Sequence, residues 1–166
     1  MLNQKLFNIL FNFGNKHKKI TILITKGSCY LFFILYFLGY NYILLNFHKY
    51  NYNDILKYTF VPLLTIIIAK IIRKKINSKR PFEKMDIISL IKHKGGGAMP
   101  SNHATSSMVL AISFMYILPK YSILYIILAI LTGISRIMAG LHYPIDILTG
   151  FLLGIATGLL GFYILF

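Results

Sequence analysis

Two histidines, one carboxylate and three arginines between residues 73 and 146 hold the chemistry this sequence could perform. His142 and Asp146 are four residues apart, so on a helix their side chains share one face. A carboxylate on one imidazole nitrogen fixes the tautomer and leaves the other nitrogen free as base or nucleophile. Arg136 lies six residues before His142, and Gly140, Tyr143 and Pro144 suggest a bend that brings the two together. Its planar, permanently charged fork suits phosphate oxygens. A His–Asp pair that merely closes a helix end fits the same spacing.

Two further clusters precede this one. Pro100-Ser101-Asn102-His103 runs straight into an apolar stretch, and Ser101 and Asn102 are good helix N-caps. The free N–H groups of a helix N-terminus favour anions, so a phosphate could rest there, with His103 placed to protonate a leaving oxygen. An ordinary cap is the alternative. Upstream, Arg73 and Arg80-Pro81 are seven residues apart, two turns and about 20° out of register. Both face one site if the helix persists to Pro81; otherwise they belong to a solvated basic loop. Lys74, Lys75, Lys79, Lys84, Lys92 and Lys94 read as headgroup or solvent charges.

The elements that must position these groups are apolar helices. Crossing a roughly 30 Å hydrocarbon core takes about 20 residues. Five stretches fit, near 28–46, 55–72, 105–118, 121–139 and 145–166. The third is short unless it starts inside the preceding motif. In lipid every backbone polar group must be satisfied internally, so these are helices. Leu118-Pro119-Lys120-Tyr121 makes a tight turn between two of them. If neighbours are antiparallel, Arg73, His103, Arg136 and Asp146 all fall at one membrane face. Gly150, Gly154 and Gly158 share a helix face that permits close approach, either within the chain or across a homodimer. At the N-terminus Leu2, Leu6, Ile9, Leu10 and Phe13 recur at helical spacing up to Gly14, followed by Lys16, His17, Lys18 and Lys19. This reads as an interfacial amphipathic helix with a basic foot, with a truncated extra span as the alternative. It is not a signal peptide, since no small-residue cleavage site follows an apolar core. The long polar stretch 73–102 carries the pliable run Gly95-Gly96-Gly97.

Composition agrees with this picture. The chain of 166 residues is 57% hydrophobic yet carries a formal charge of +14, with Asp54, Glu83, Asp86 and Asp146 its only acids. That excludes disorder and makes a water-soluble globule or a nucleic-acid binder a poor fit. The lone Cys29 allows no intrachain disulfide and no cysteine metal cluster. The expected fold is one all-α, polytopic membrane helix bundle, 1–166, of about five transmembrane helices plus the N-terminal interfacial helix. The Ile, Lys, Asn, Tyr and Phe bias hints at an AT-rich, bacterial genome.

Between residues 73 and 146 the sequence resembles the type 2 phosphatidic acid phosphatase superfamily, whose pattern is K-x6-R-P, P-S-x-H and S-R-x5-H-x3-D. The third motif is complete in Ser135, Arg136, His142 and Asp146; the second is Pro100 to His103, with Asn102 where many members carry Gly. In the first, Arg73 stands in place of Lys, with Lys74 the alternative cation. The resemblance implies a metal-independent, cofactor-free membrane phosphatase. His142 would form a phosphohistidine, Asp146 would orient it, and His103 would protonate the leaving group. Arg73, Arg80, Ser101, Asn102 and Arg136 would bind phosphate. The implied substrate is a lipid phosphate or diphosphate, with undecaprenyl diphosphate, in cell-wall carrier recycling, favoured for a small bacterial member. Alternatives are a phosphatidylglycerophosphate or phosphatidate phosphatase, a phosphotransferase to a non-water acceptor, or a non-catalytic protein that binds anionic membrane lipids. Counting Lys and Arg in the loops points the site inward; the resemblance implies an extracytoplasmic site in the plasma membrane, and that is the expectation.

Overall fold

The computed structural model of the chain describes residues 2–165. Seven α-helices follow in order: α1 (Leu2–Lys16), α2 (Lys18–Leu45), α3 (Tyr52–Ile76), the single turn α4 (Pro81–Lys84), α5 (Asn102–Ile117), α6 (Ser122–Met138) and α7 (Pro144–Leu159). A 3-10 turn at Pro119–Tyr121 joins α5 to α6, and a π-turn at Leu160–Ile164 ends α7. Four helical segments, beginning at Lys18, Tyr52, Pro119 and Pro144, are long and apolar enough to cross a membrane.

The fifth expected span is α5, which does start inside its motif, at Asn102, and is 16 residues long. Its place is central: it packs against α7, α6 and α3, and Ala104, Met108, Val109, Ala111, Ile112, Phe114 and Ile117 are all buried. The neighbours turn their large apolar side chains outward, as Leu23, Phe33 and Phe37 do on α2 and Leu148 and Leu152 on α7. Bulky apolar side chains thus cover the outside as lipid demands, while the interior mixes large apolar residues with small and polar ones. Buried Ser107 and Ser113 donate to the Ala104 and Val109 carbonyls of their own helix, which satisfies hydroxyls that hydrocarbon would leave stranded. Between helices, Thr65 of α3 donates to Thr157 of α7 at 2.8 Å.

The glycine face of α7 is taken up within the chain. A Cβ at Gly150 would stand 2.9 Å from the Ser101 carbonyl oxygen, and one at Gly154 2.7 Å from that of Thr105. Gly158 meets Ile112 in the same way. Of the two uses expected for the Gly150/Gly154/Gly158 face, the structure displays close packing within the chain, against α5.

The N-terminal helix forms, but the face packed on the bundle is not the expected stripe: Phe7 and Phe11 are buried while Leu2, Leu6, Ile9 and Phe13 are exposed. It does not stop at Gly14, however. That glycine lies within α1, where the Met138 backbone of α6 approaches so closely that no Cβ fits. α1 also reaches the functional end of the bundle, because Asn3 Oδ1 accepts from Ile145 N–H at 3.1 Å in the first turn of α7. The first span starts at Lys18 rather than near 28, so α2 follows α1 after a single residue.

Candidate active site

The end of α3, the start of α5, the end of α6 and the start of α7 meet at one end of the bundle. Ser101 N–H donates to the Asp146 carbonyl at 2.9 Å, tying the second motif to the third. Ser101 caps α5, its hydroxyl accepting from Ala104 N–H at 3.5 Å. Arg80, Ser101, Arg136, His142 and Asp146 are buried; Arg73, Asn102 and His103 are partly so.

His142 does not sit on a helix. It precedes Tyr143, the N-cap of α7, while Asp146 is that helix's third residue. The pair is therefore made across a helix start, with His142 Nδ1 3.6 Å from Asp146 Oδ2. The same carboxylate oxygen accepts from Tyr143 N–H at 2.8 Å, which pins it. On the other side of the ring, Nε2 lies 3.2 Å from Arg80 Nη1. A guanidinium only donates, so Nε2 is the acceptor and its lone pair faces the arginine. The ring proton then sits on Nδ1, toward Asp146. Burial lowers the His142 pKa to about 4; Asp146 opposes that shift and the Arg80 charge adds to it. The imidazole is therefore neutral and its lone pair available at ordinary pH.

Arg80 is held without help from a long helix. α3 ends at Ile76, Asn77 adopts a left-handed conformation, and Arg80 arrives through a loop as the N-cap of α4. The helix does not persist to Pro81, the condition under which the spacing alone would turn both arginines to one site; a loop brings Arg80 there instead. Its guanidinium donates to the Leu141 carbonyl at 2.9 Å and to the Gly96 carbonyl at 3.1 Å. Arg136 is anchored from α2: its Nη2 donates to the Thr25 carbonyl at 2.8 Å and contacts Cys29 Sγ at 2.7 Å. Its Nε, although buried, has no partner. Arg73 lies within electrostatic reach of Arg80, Asp146 and His103, and its side chain lies against Gly97. Arg73, and not Lys74, is thus the cation turned to the centre. Asn102 Oδ1 is buried and unpartnered; since amide O and N are assigned from partners, a phosphate there would take the NH2.

Other participants escape the motifs. Glu83 Oε2 accepts from both Arg80 N–H and Gly96 N–H, each at 2.8 Å; an Arg-Pro-x-Glu capping pattern was the available signal. Thr25 and Cys29 gave no sequence signal. His93, whose pKa burial lowers, comes within electrostatic reach of Arg80, Arg73 and Arg136. Among the described residues no three His, Cys, Asp or Glu side chains converge as a metal site would require.

Two cavities open from this centre. One, about 480 Å3, runs between α2, α3, α5 and α6, with Phe32, Leu63, Ile66 and Leu110 among its walls and His103 lining it. The other, about 610 Å3, is polar and lies among Lys70, Arg73, Lys74, Asn102 and Gly95–Gly97. An amphiphile with an anionic head fits such a pair.

Comparison with known proteins agrees with this architecture. The model of the PAP2 superfamily matches residues 54–166. The undecaprenyl-diphosphatase BcrC of Bacillus subtilis is 35% identical over 83 residues, 50% of this chain and 43% of that protein. A lipid A 1-phosphatase of Rhizobium johnstonii is 29% identical over 100 residues, 57% of this chain and 41% of that one. The matched stretch spans less than half the length of these curated relatives. Among solved structures, Aquifex aeolicus LpxE superposes with a TM-score of 0.74 at 20% identity, over 97% of this chain and 94% of that one. A phosphatidylglycerolphosphate phosphatase of Bacillus subtilis gives 0.69 at 22% identity, over 95% of this chain and 83% of that one.

Proposed function

This chain belongs to the PAP2 superfamily, and on that premise we propose that it is a multi-pass membrane lipid phosphatase with His142 as its nucleophile. The observation that carries the reading is the placement of the His142 ring, with Nδ1 toward Asp146 and Nε2 3.2 Å from Arg80. Substrate phosphate displaces the Arg80–Nε2 contact, so that the arginine binds a phosphoryl oxygen while the freed lone pair meets phosphorus. The N–P bond forms as the P–O bond to the lipid breaks, and His103 delivers a proton to the departing oxygen. Asp146 stabilises the positive charge that the phosphorylated ring acquires. Water, deprotonated by His103, then attacks phosphorus, releases phosphate and restores the neutral ring. Arg73, Arg80, Arg136, Ser101, Asn102 and the first N–H groups of α5 hold the charge that builds on the phosphoryl oxygens. Preorganised donors of this kind often supply the largest catalytic contribution.

The substrate we favour is undecaprenyl diphosphate, cleaved to undecaprenyl phosphate and inorganic phosphate. The 35% identity to a protein named for that activity supports it, as does an apolar cavity beside His103 that can take the start of a prenyl chain. The 29% identity to a lipid A 1-phosphatase supports a second reading, action on the phosphate of another lipid. In either case the site opens on the extracytoplasmic face of the plasma membrane.

The test is release of phosphate from undecaprenyl diphosphate by purified protein, with rapid quench of a 32P-labelled reaction to trap acid-labile phosphohistidine. His142→Ala loses both signals. Full release by that variant would sink the mechanism.

A further inference from the structure

On one face of α3 the lining residues change character along the axis. Thr59, Leu63 and Ile66 border the apolar cavity; Lys70, Arg73 and Asn77 border the polar one. The five from Thr59 to Arg73 fall at alternating spacings of three and four residues, so they form a single stripe, and Asn77 caps the helix beyond it. The change from apolar to cationic comes at Lys70. On α5 it comes at the same level of the site, since His103 borders the apolar cavity and Asn102 the polar one. A lipid lying along this stripe with its reacting phosphoryl group at Arg73 has its next group about 4.5 Å back, at Lys70, and its first carbons about 6 Å further on, at Ile66.

Lys70 is otherwise unexplained. It interrupts an apolar run, Thr65 to Ile72, and its exposed side chain stands at the border of the polar cavity, one turn before Arg73. Among the described residues no carboxylate lies within ion-pair distance of it. The group that lies between reacting phosphorus and tail is neutral carbon in a lipid monophosphate. In a lipid diphosphate it is a second, charged phosphate.

We propose that Lys70 is a specificity residue, binding the tail-proximal phosphate of a lipid diphosphate between the apolar cavity and the reacting centre. This rests on the phosphatase reading and narrows its substrate to the diphosphate class. The leaving group is then a lipid phosphate whose negative charge Lys70 stabilises while His103 serves the bridging oxygen.

The test compares kcat/KM for two probes with one tail, farnesyl diphosphate and farnesyl phosphate, in wild type, Lys70→Gln, Lys70→Arg and Lys75→Gln. Lys70→Gln removes a charge-assisted hydrogen bond that only the diphosphate makes, so the diphosphate to monophosphate ratio falls about tenfold. Lys70→Arg retains most of the ratio. Lys75→Gln, which removes the same charge from outside the cleft, leaves it where it was. An unchanged ratio in Lys70→Gln, or a wild type that favours the monophosphate, overturns the proposal and makes Lys70 a contact for bulk lipid headgroups. The phosphatase reading fails separately, if His142→Ala still releases phosphate from either probe.

Discussion

Removing the Glu83 carboxylate should disable the site from a distance. Oε2 alone accepts from Arg80 N–H and Gly96 N–H, each at 2.8 Å, and Arg80 Nε returns to the Gly96 carbonyl at 3.1 Å. The three residues close a ring that fixes where Arg80 begins and where the triglycine loop ends. Hydrogen bonds to a charged group contribute about 1.5–3 kcal/mol each when shielded. This carboxylate is exposed, so about 1 kcal/mol apiece is the better figure. If that energy, about 2 kcal/mol in all, serves to hold Arg80 for the transition state, Glu83→Ala lowers kcat/KM roughly 30-fold. Glu83→Gln separates geometry from charge. Its amide oxygen can still accept both bonds, so the loss should be near fivefold, with the amide assigned oxygen-inward. Steady-state phosphate release on detergent-solubilised protein measures both, with Tm recorded beside it. Glu83→Ala within twofold of wild type refutes the reasoning, and so does a fall in Tm with kcat intact, which would make Glu83 a loop staple only.

Other consequences follow from the same geometry. Gly154→Ala forces a Cβ to 2.7 Å from the Thr105 carbonyl oxygen, and should cost about 1–3 kcal/mol by overpacking; Gly27→Ala, with nothing within 4 Å, should leave Tm unchanged or slightly raised. The His142 pKa, lowered to about 4, lies below the unfolded value of about 6.5. Above pH 6.5 neither state binds the proton. As pH falls toward 4 the unfolded chain takes it up and the native chain does not, so stability declines across that window. His142→Gln should flatten the decline in a Tm series from pH 7 to 5. In wild type, the acid limb of kcat/KM due to the nucleophile should appear near pH 4. Lys92→Cys in a Cys29→Ser background should react with an impermeant maleimide in intact cells; protection until the membrane is permeabilised would put the site on the cytoplasmic face.

The residue spacing made the bundle and the convergence of its ends legible, because both depend on periodic local patterns. Apolar run length marks a span, and a motif at alternate span ends marks a face. What stayed hidden is what depends on backbone detail or on contacts between distant segments. The left-handed turn at Asn77 is a single-residue event, and without it the spacing of Arg73 and Arg80 asks for a longer helix. Gly14 looked like a terminus because glycine ends helices often, whereas here its missing side chain admits the Met138 backbone. The anchoring of Arg136 by Thr25 joins positions 111 residues apart, and no spacing rule reaches that far. That the glycine face of α7 packs against α5 is likewise a contact between segments, and the sequence of α7 alone is silent on it.

The opposition between +14 and a 57% apolar chain resolves in how the site's arginines are partnered. A buried guanidinium needs acceptors, and carboxylates would be the usual ones. Of the four acids, Asp54 serves the far end of α3, accepting from Asn51 N–H; Asp86 is exposed; Glu83 turns its oxygen to backbone N–H groups. Asp146 alone enters the centre, and it is turned to Tyr143 and His142. The two buried arginines are held by neutral carbonyls instead, Leu141 and Gly96 for Arg80 and Thr25 for Arg136, and Arg136 Nε is left without a partner. Carbonyls fix the guanidinium in place without cancelling its charge. On the mechanism proposed above, Arg73, Arg80 and Arg136 beside one carboxylate are unfavourable when the site is empty and favourable around a dianion, more so as phosphoryl charge builds toward the transition state. Replacing one such carbonyl contact by a carboxylate partner would make the empty protein more stable and the enzyme slower. On that mechanism the scarcity of acids serves the site as well as the membrane.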